Sequence, residues 1–165
     1  MKWLIGLLWV WALVGCGPNG LSDEEKRTVR EKVIRNNASL AALNELGREI
    51  AARSEHPAHR VKVAHILISF AGAGIPEVTR SRIDAEKEAA RILRRIESGE
   101  DFLTLMRDHS DDSGPGIYPM IQSTRNQMVP GFGDVGWRLK VGEVGLAPFH
   151  SKKSPYGWHL IKRLE

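Results

Sequence analysis

Bulky apolar residues alternate with polar or smaller ones in two stretches, one in the middle of the chain and one at its end. Val61 to Phe70 and Tyr156 to Leu164 both show this period of two, which is typical of a strand with one buried face. Val144 to Phe149 predicts another short strand before the last one. The first and last strands each carry a histidine, His65 and His159.

Apolar residues spaced three and four apart predict helices between these strands. The clearest helix is Ser81 to Ser98, which Gly99 stops; its apolar stripe consists of Ala85, Ala89, Ile92, Leu93 and Ile96. Asp101 predicts the N-cap of a shorter helix. Pro130 suits the first turn of a third helix, although nearby glycines weaken it. The apolar side of that helix consists of Phe132, Val135, Trp137 and Leu139.

A longer amphipathic arm, Ser22 to about Arg53, precedes the first strand. Ser22 and Glu25 form the capping-box pattern that starts a helix. The apolar stripe of the arm consists of Val29, Val33, Leu40, Leu43, Leu46 and Ile50, with an interruption at Asn36 and Asn37. Such an arm packs on its own domain, pairs with another copy or holds a client protein, and the first of these is the commonest outcome.

The polar stretch Ser54 to His59 is the expected domain boundary, because it contains Pro57 between polar residues. Pro57 also argues against a helix that would bring His56 and His59 to one metal ion. A chain of 165 residues accommodates one domain with an extension but not two full domains. A hydrophobic content of 42% and a charged content of 27% exclude disordered, collagen-like and polytopic membrane proteins.

The N-terminus has the composition of an export signal. Lys2 supplies a positive charge, and Trp3 to Val14 form an apolar run that is too short to span a bilayer. The block Leu13 to Cys16 resembles a bacterial lipoprotein signal, which implies that Cys16 is lipidated and becomes the new N-terminus. Gly17 does not resemble an inner-membrane retention residue, which favours the outer membrane. The alternatives are an ordinary cleaved signal with a free cysteine or an uncleaved anchor.

Charge and cysteine content narrow the function classes. Removal of Lys2 with the signal lowers the formal charge from +4 to +3, and the basic residues are scattered rather than clustered. Nucleic-acid binding, which needs a concentrated basic face, is therefore not expected. The single cysteine cannot form an internal disulfide, which fits both lipidation and an oxidising compartment.

Four blocks between Ala64 and Ile161 resemble one family in the same order. They are Ala64 to Ile68, Met128 with Phe132, Gly142 to Val144, and Tyr156 to Ile161. Together they resemble the parvulin (rotamase, PpiC-like) type of peptidyl-prolyl cis/trans isomerase over about Val61 to Glu165. The resemblance implies an α+β domain in which helices pack on a four-stranded antiparallel sheet. The expected organisation is a signal at 1–15, a lipidated tether and helical arm at 16–59, and an isomerase domain at 60–165.

The resemblance also implies a site. His65 and His159 would face each other from adjacent strands, Tyr156 would lie at the rim, and Asp112 would take the family's Cys or Asp position. From the residues alone, His65 also suits a hydrogen-bonded core position, and Asp112 also suits a turn, because Asp, Ser, Gly and Pro follow one another here.

Met128 and Phe132 are the expected substrate-binding residues, four apart on the predicted helix, although ordinary core positions would show the same spacing. Met120 would form one wall of the proline pocket. The chain departs from the family pattern around it, because Ile117 to Ile121 replaces a glycine-rich strand. Pro119 cannot donate a ladder hydrogen bond, so this strand is expected to be short, irregular or at an edge.

The resemblance implies prolyl isomerisation of X-Pro segments in unfolded or exported proteins, without a cofactor. A non-catalytic client-binding chaperone on the same scaffold is the alternative, and a purely structural lipoprotein is a third. A zinc site made of the two histidines and Asp112 has no support from local ligand spacing. Arg80 and Arg82 have the charge needed to hold a phosphate, but both lie outside the glycine-containing loop Ala71 to Thr79, and solvating the next helix is the favoured interpretation.

Overall fold

The computed structural model describes residues 21–165, so the predicted signal and Cys16 lie outside the described residues. The chain falls into a short N-terminal unit that ends at Val33 and a compact unit from Ile34 to Glu165. Within residues 21–165, no helix is long and apolar enough to cross a membrane.

The compact unit is an α+β fold, which confirms the predicted fold class. The helices are α1 (Asp23–Ala52, which continues from the first unit), α2 (Arg82–Glu97), α3 (Phe102–His109) and α4 (Pro130–Arg138). The strands are β1 (Arg60–Ile68), β2 (Ile117–Ile121), β3 (Val144–Ala147) and β4 (Trp158–Arg163), and a 3₁₀ turn spans Gln122–Gln127. Asp101 caps α3, as predicted, and Ser81 caps α2; each side chain accepts a hydrogen bond from the backbone N–H three residues later.

The sheet has the order β2-β1-β4-β3, and all neighbouring strands are antiparallel. β2 is an edge strand, as the proline inside it requires, and Pro119 lies opposite Lys62. In the central pair, His65 lies opposite Ile161 and Leu67 lies opposite His159. His65 and Leu67 are two residues apart and therefore share a face. His159 lies opposite Leu67, so both histidines project from the same face of the sheet.

Each face of the sheet has its own hydrophobic core. Ala64, Ile66 and Ile68 of β1 pack with α2 and α3 on one face. Val61 and Val63 pack with α4 on the other, the face that also carries His65. β1 is therefore buried on both faces rather than on one: the first face packs on α2 and α3, and the face that holds the histidine packs on α4.

The glycines of α4 have a packing reason, although they weaken the helix. A Cβ on Gly136 would lie 2.5 Å from Met120 Cε and 3.4 Å from Val63 Cγ1. Glycine here lets the helix backbone lie directly on β1 and β2, which sets the position of Phe132 one turn earlier.

The stripe of α1 divides into two parts. In the compact unit, Leu43 and Ile50 are fully buried, and Gly47 lies against Leu146 and Pro148. In the N-terminal unit, Val29 and Val33 remain about half exposed. The compact unit includes the second half of α1, upstream of the boundary expected at residue 60.

Candidate active site

Two buried histidines lie against each other in the centre of the sheet. His159 Nδ1 and His65 Nε2 are 2.8 Å apart, and the two rings are nearly parallel, with centroids 4.9 Å apart and an interplanar angle of 13°. Both side chains are almost completely buried. The antiparallel pairing of β1 and β4 brings together residues that are 94 positions apart in the chain.

Asp112 is the third member of this group. Its Oδ2 lies 3.3 Å from His65 Nδ1, within ion-pair range but off the axis of a ring N–H hydrogen bond. The same oxygen accepts a 2.5 Å hydrogen bond from the Tyr118 hydroxyl, and Oδ1 accepts one from the Gly114 backbone N–H at 3.0 Å. The contact with His65 and these two donors hold the pKa of Asp112 well below its usual range despite partial burial, so the carboxyl group is ionised.

The charge of Asp112 favours one arrangement of protons in the histidine pair. The carboxylate favours the His65 proton on Nδ1, so Nε2 of His65 accepts a hydrogen bond from the Nδ1–H of His159. The Nε2 atom of His159 is then an unprotonated acceptor, with no hydrogen-bond partner among residues 21–165. Burial, and to a smaller degree His65, lowers the pKa of His159 to about 3, so this ring is neutral at pH 7.

The group opens into a hollow of about 490 Å³. Phe132 presents its ring edge-on to His65, with centroids 4.9 Å apart, and edge-on to Tyr118 at 5.8 Å. The lining is mainly apolar or uncharged: His65, Leu67, Gly74, Ile75, Pro76, Asp112, Ser113, Tyr118, Gln127, Met128, Val129, Phe132, Tyr156 and His159. Asp112 supplies the carboxylate of this lining, and the remaining wall suits the binding of an apolar ring.

The structure brings most of the predicted residues together at this hollow. His65, Asp112 and His159 form its polar end, and Met128 and Phe132 form part of its apolar wall. Tyr156 lies at the rim, where it is 40% exposed, and its ring faces Gly74. The chemical roles of these residues remain predictions.

Met120 is the exception, and its predicted place in the pocket wall is corrected. Its side chain is 2% exposed and lies in the core under α4, packed with Val61 and Val63 rather than lining the hollow. The reason is the register of β1 and β2, in which Met120 is opposite Val61 and Tyr118 is opposite Val63. Tyr118 is therefore the residue of β2 on this face that lies nearest His65.

Sequence reasoning missed Tyr118. The available signal was the alternation of β2, which puts Tyr118 and Met120 on one face, combined with antiparallel pairing to β1. It also missed Ile75 and Pro76, which reach the hollow from the loop between β1 and α2. Nothing in the local pattern of that loop indicates which of its side chains turn inward.

Arg125 fixes the segment that leads to Met128. Its guanidinium group forms hydrogen bonds with Glu55 at 2.6 Å and Asp134 at 2.5 Å, and it lies over the Trp137 ring at 5.0 Å. The backbone carbonyl of Arg125 accepts from the N–H of Met128 at 3.0 Å. These contacts hold the 3₁₀ turn on α4 and so position one wall of the hollow.

Asp111 differs from its neighbour Asp112, because its carboxylate is used for structure. It accepts the backbone N–H of Ser69 at 2.7 Å and pairs with both terminal nitrogens of Arg80. Arg80 also donates to the carbonyl oxygen of Ser69. Arg80 therefore anchors the loop after β1 instead of solvating the next helix. Within residues 21–165, no cluster of His, Cys, Asp and Glu has the arrangement of a metal site.

Comparison with known proteins identifies similar sequences and folds. The family model described as the PPIC-type PPIASE domain matches residues 45–165. A chaperone SurA from Pseudomonas fluorescens is 35% identical over 106 residues, which cover 63% of this chain and 22% of the relative. A parvulin-like PPIase from Rickettsia bellii is 32% identical over 111 residues, which cover 64% of this chain and 32% of the relative. The chain thus spans about a fifth to a third of the length of these curated relatives.

A solved structure shows the same fold. The solution structure of TbPIN1 superposes with a TM-score of 0.54 at 26% identity, covering 66% of this chain and 99% of that one.

Proposed function

This chain belongs to the PPIC-type (parvulin) family of peptidyl-prolyl cis/trans isomerases, and we propose that it catalyses cis/trans exchange of X-Pro bonds in unfolded, exported proteins. The observation that carries the proposal is an ionised carboxylate, Asp112, held beside a buried histidine pair at the mouth of an apolar hollow. No cofactor enters the mechanism.

The chemical task is rotation about one amide bond. Amide resonance gives this bond a barrier of ~18–20 kcal/mol, because twisting removes its partial double-bond character. Planar resonance separates charge, placing negative charge on the oxygen, and water stabilises that charge. An apolar site that removes the water destabilises the planar ground state more than the twisted state, which lowers the barrier.

The hollow supplies this environment. Met128 and Phe132, with Val129 beside them, form the apolar wall against which a pyrrolidine ring packs. The edge-on contact of Phe132 with His65 places the ring-binding wall directly beside the polar end of the site. The residue before proline then has its carbonyl group near Asp112.

Asp112 acts on the carbonyl oxygen. A fixed negative charge near this atom disfavours the planar form, in which the oxygen is most negative, relative to the twisted form. The carboxylate is suited to this because His65 and Tyr118 hold it ionised and oriented. His65 and His159 are positioning residues, since Nε2 of His65 faces Nδ1 of His159 and the other nitrogen of His65 faces Asp112.

A second candidate is a non-catalytic chaperone that binds clients in the same hollow. It is favoured by the sequence of Ile117–Ile121, which departs from the family's glycine-rich pattern, and by a relative that is itself named a chaperone. The two functions predict different behaviour with one client: a chaperone suppresses aggregation without changing the rate of X-Pro exchange.

We also propose that the chain works in the bacterial cell envelope, anchored through a lipidated Cys16 and facing the periplasm from the outer membrane. The support is the sequence of residues 1–17, with its charged start, short apolar run and Leu-Val-Gly-Cys block. A multiply acylated cysteine suffices for stable anchoring. Residues 16–59 then form the tether and arm, and residues 60–165 form the isomerase domain. Mass spectrometry of the membrane fraction, comparing the wild type with Cys16→Ser, tests the anchor.

The experiment that tests the isomerase activity is two-dimensional NMR exchange spectroscopy on a short X-Pro peptide with a catalytic amount of the protein. Exchange cross-peaks between cis and trans resonances should appear at mixing times where the free peptide shows none, since uncatalysed exchange takes tens to hundreds of seconds. Aggregation suppression without cross-peaks would select the chaperone instead.

A further inference from the structure

β2 pairs with β1 only as far as His65, whose backbone N–H donates to the carbonyl oxygen of Gly116 at 2.8 Å. Leu67 and, one residue beyond β1, Ser69 follow on the same edge, because alternate residues of a strand direct their backbone N–H and C=O groups to one side. The turn after α3, residues 110–112, lies along this edge. It supplies the hydrogen-bond partners that β2 does not reach.

Ser110 connects this edge to the backbone of Asp112. Its hydroxyl oxygen accepts hydrogen bonds from the backbone N–H groups of Leu67 at 3.1 Å and Asp112 at 3.3 Å. A hydroxyl oxygen has two lone pairs, so it serves both donors. Between them, the N–H of Asp111 donates to the carbonyl oxygen of Leu67 at 2.8 Å. One side-chain atom thus joins the strand that carries His65 to the residue that carries the carboxylate.

The hydroxyl group of Ser110 is not needed to end α3. The backbone N–H of Ser110 closes the helix by donating to the carbonyl oxygen of Met106 at 3.1 Å, and this bond uses no side-chain atom. An alanine at this position would close the helix in the same way. The two bonds to the hydroxyl oxygen therefore serve the turn and β1 rather than α3.

Asp111 makes a second tie to the same edge. Its carboxylate accepts the backbone N–H of Ser69 at 2.7 Å and pairs with Arg80. Ser110 and Asp111 together hold the turn at two successive pairing positions along β1. Within residues 21–165, the N–H of Asp112 bonds to Ser110 and not to β1 itself. Ser110 is therefore the direct link between the backbone of Asp112 and the strand.

The contact between Asp112 and His65 depends on where this turn lies. Oδ2 of Asp112 is 3.3 Å from Nδ1 of His65, which lies two residues before Leu67 in β1. The attraction between a charge and a polar group weakens as their distance grows. The contact with His65 is also the largest of the effects that hold the pKa of Asp112 below its usual value. A shift of the turn away from β1 would therefore weaken both the ionised state and the orientation of the carboxylate.

We propose that Ser110 is a positioning residue of the isomerase site, whose hydroxyl oxygen sets the distance between Asp112 and His65. The inference rests on the proposed isomerase function and adds a residue to its machinery. Ser110 is not among the described residues that line the hollow, so it acts through Asp112 rather than on the substrate. Its backbone is extended, with φ −72° and ψ 132°, a conformation that threonine also adopts. Threonine supplies the same hydroxyl acceptor, whereas alanine does not.

Exchange spectroscopy on acetyl-Ala-Gln-Pro-Phe-amide tests the effect on catalysis. Ser110→Ala should lower kcat about tenfold and leave KM nearly unchanged, because the apolar wall stays in place while the carboxylate loses its orientation. Ser110→Thr should keep at least about half of the wild-type kcat, since its hydroxyl oxygen replaces the lost acceptor.

Ser69→Ala is the matched control. Ser69 is fully buried, and its hydroxyl oxygen has no hydrogen-bond partner among residues 21–165. The substitution removes the same side-chain atom and keeps the backbone N–H that binds Asp111. It should therefore match the wild type, as should Glu97→Gln, an exposed change at the end of α2.

A ¹³C titration of the Asp112 side-chain carboxyl separates positioning from a loss of stability. In Ser110→Ala the pKa of Asp112 should rise toward its ordinary value of 3.8, because the carboxylate moves away from His65. The pKa should stay well below that value in the wild type, Ser110→Thr and Ser69→Ala. If Ser110 only stabilised the fold, urea unfolding would change while the titration midpoint and kcat would not, and that result would overturn the inference.

A further variant and the wild type keep the test decisive. If Ser110→Ala does not fold, Ser110→Cys replaces it: the thiol has nearly the same shape but is a weak acceptor, so kcat and the pKa of Asp112 should change in the same directions. If even the wild type does not accelerate exchange, the isomerase proposal fails, and the titration alone decides the role of Ser110. Equal effects of Ser110→Ala and Ser69→Ala on the titration would refute that role.

Discussion

The Nδ1 atom of His159 lies 2.8 Å from the Nε2 atom of His65, and Asp112 lies 3.3 Å from the other nitrogen of His65. The three side chains form one line from a buried acceptor to a carboxylate at the edge of the hollow. Because each nitrogen that faces a partner has a fixed role, the ionised carboxylate of Asp112 sets the positions of the protons on both rings, while burial keeps His159 neutral.

Stability should depend on pH through His159. Its pKa is lowered from the ordinary 6.5 to about 3 in the folded protein, mainly by burial. The imidazole of His159 therefore binds a proton more tightly in the unfolded chain than in the folded protein. The stability that the neutral ring contributes is fully present above about pH 6.5. That contribution is lost as pH falls toward 3, by at most about 1.4 kcal/mol per pH unit.

Urea unfolding measured at several values between pH 7 and pH 4.5 checks this prediction. The matched variant is His159→Leu, which removes the titrating ring and should flatten the slope in this window. The lowered pKa of Asp112 adds a loss of stability only near and below pH 4, because its ordinary value is 3.8. Parallel slopes in the wild type and the variant between pH 7 and pH 4.5 would mean that folding does not lower the pKa of His159.

Tyr118→Phe should reduce isomerase activity by about threefold to tenfold and cost ~0.5–1.5 kcal/mol of stability. The change removes the 2.5 Å hydrogen bond to Asp112, which helps to hold the carboxylate ionised and oriented. The pKa of Asp112 should rise, which a ¹³C titration of the side-chain carboxyl detects. An unchanged Asp112 titration curve would show that the tyrosine does not act on the carboxylate.

Met128→Ala and Met120→Ala should have opposite consequences. Met128 is half-buried at the wall of the hollow, so its truncation should raise KM for X-Pro peptides several-fold with a small loss of stability. Met120 is 2% exposed in the core under Gly136, so its truncation should cost ~2–5 kcal/mol of unfolding free energy while substrate affinity stays nearly constant. Chemical denaturation and peptide titration on both variants separate the two roles.

The pairing of β1 with β2 shows which features of the site the sequence predicts and which it does not. The alternation in Val61 to Phe70 correctly predicts a strand with His65 on a definite face, because the period of a strand is a local property. Whether Tyr118 or Met120 lies beside His65 depends on the register between strands about 55 residues apart. Long-range hydrogen bonding sets that register, and no local pattern reports it.

The arm shows a similar limit. Periodicity and the capping box correctly predict a helix from Ser22 to about Arg53, and Ser22 and Glu25 exchange the two capping bonds. The stripe itself does not reveal that Leu43 and Ile50 are buried while Val29 and Val33 stay half exposed. Burial depends on tertiary packing around each residue, which a local pattern does not report.

The central claim is that Asp112 and His65 accelerate rotation of the X-Pro bond. NMR exchange spectroscopy on acetyl-Ala-Gln-Pro-Phe-amide tests it most directly, with the wild type, the double variant His65→Ala, Asp112→Ala and the control Glu97→Gln. The double variant should lose at least about tenfold of the catalysed rate while its spectrum still shows a folded domain, and the control should match the wild type. A folded double variant that catalyses exchange as fast as the wild type would contradict the claim.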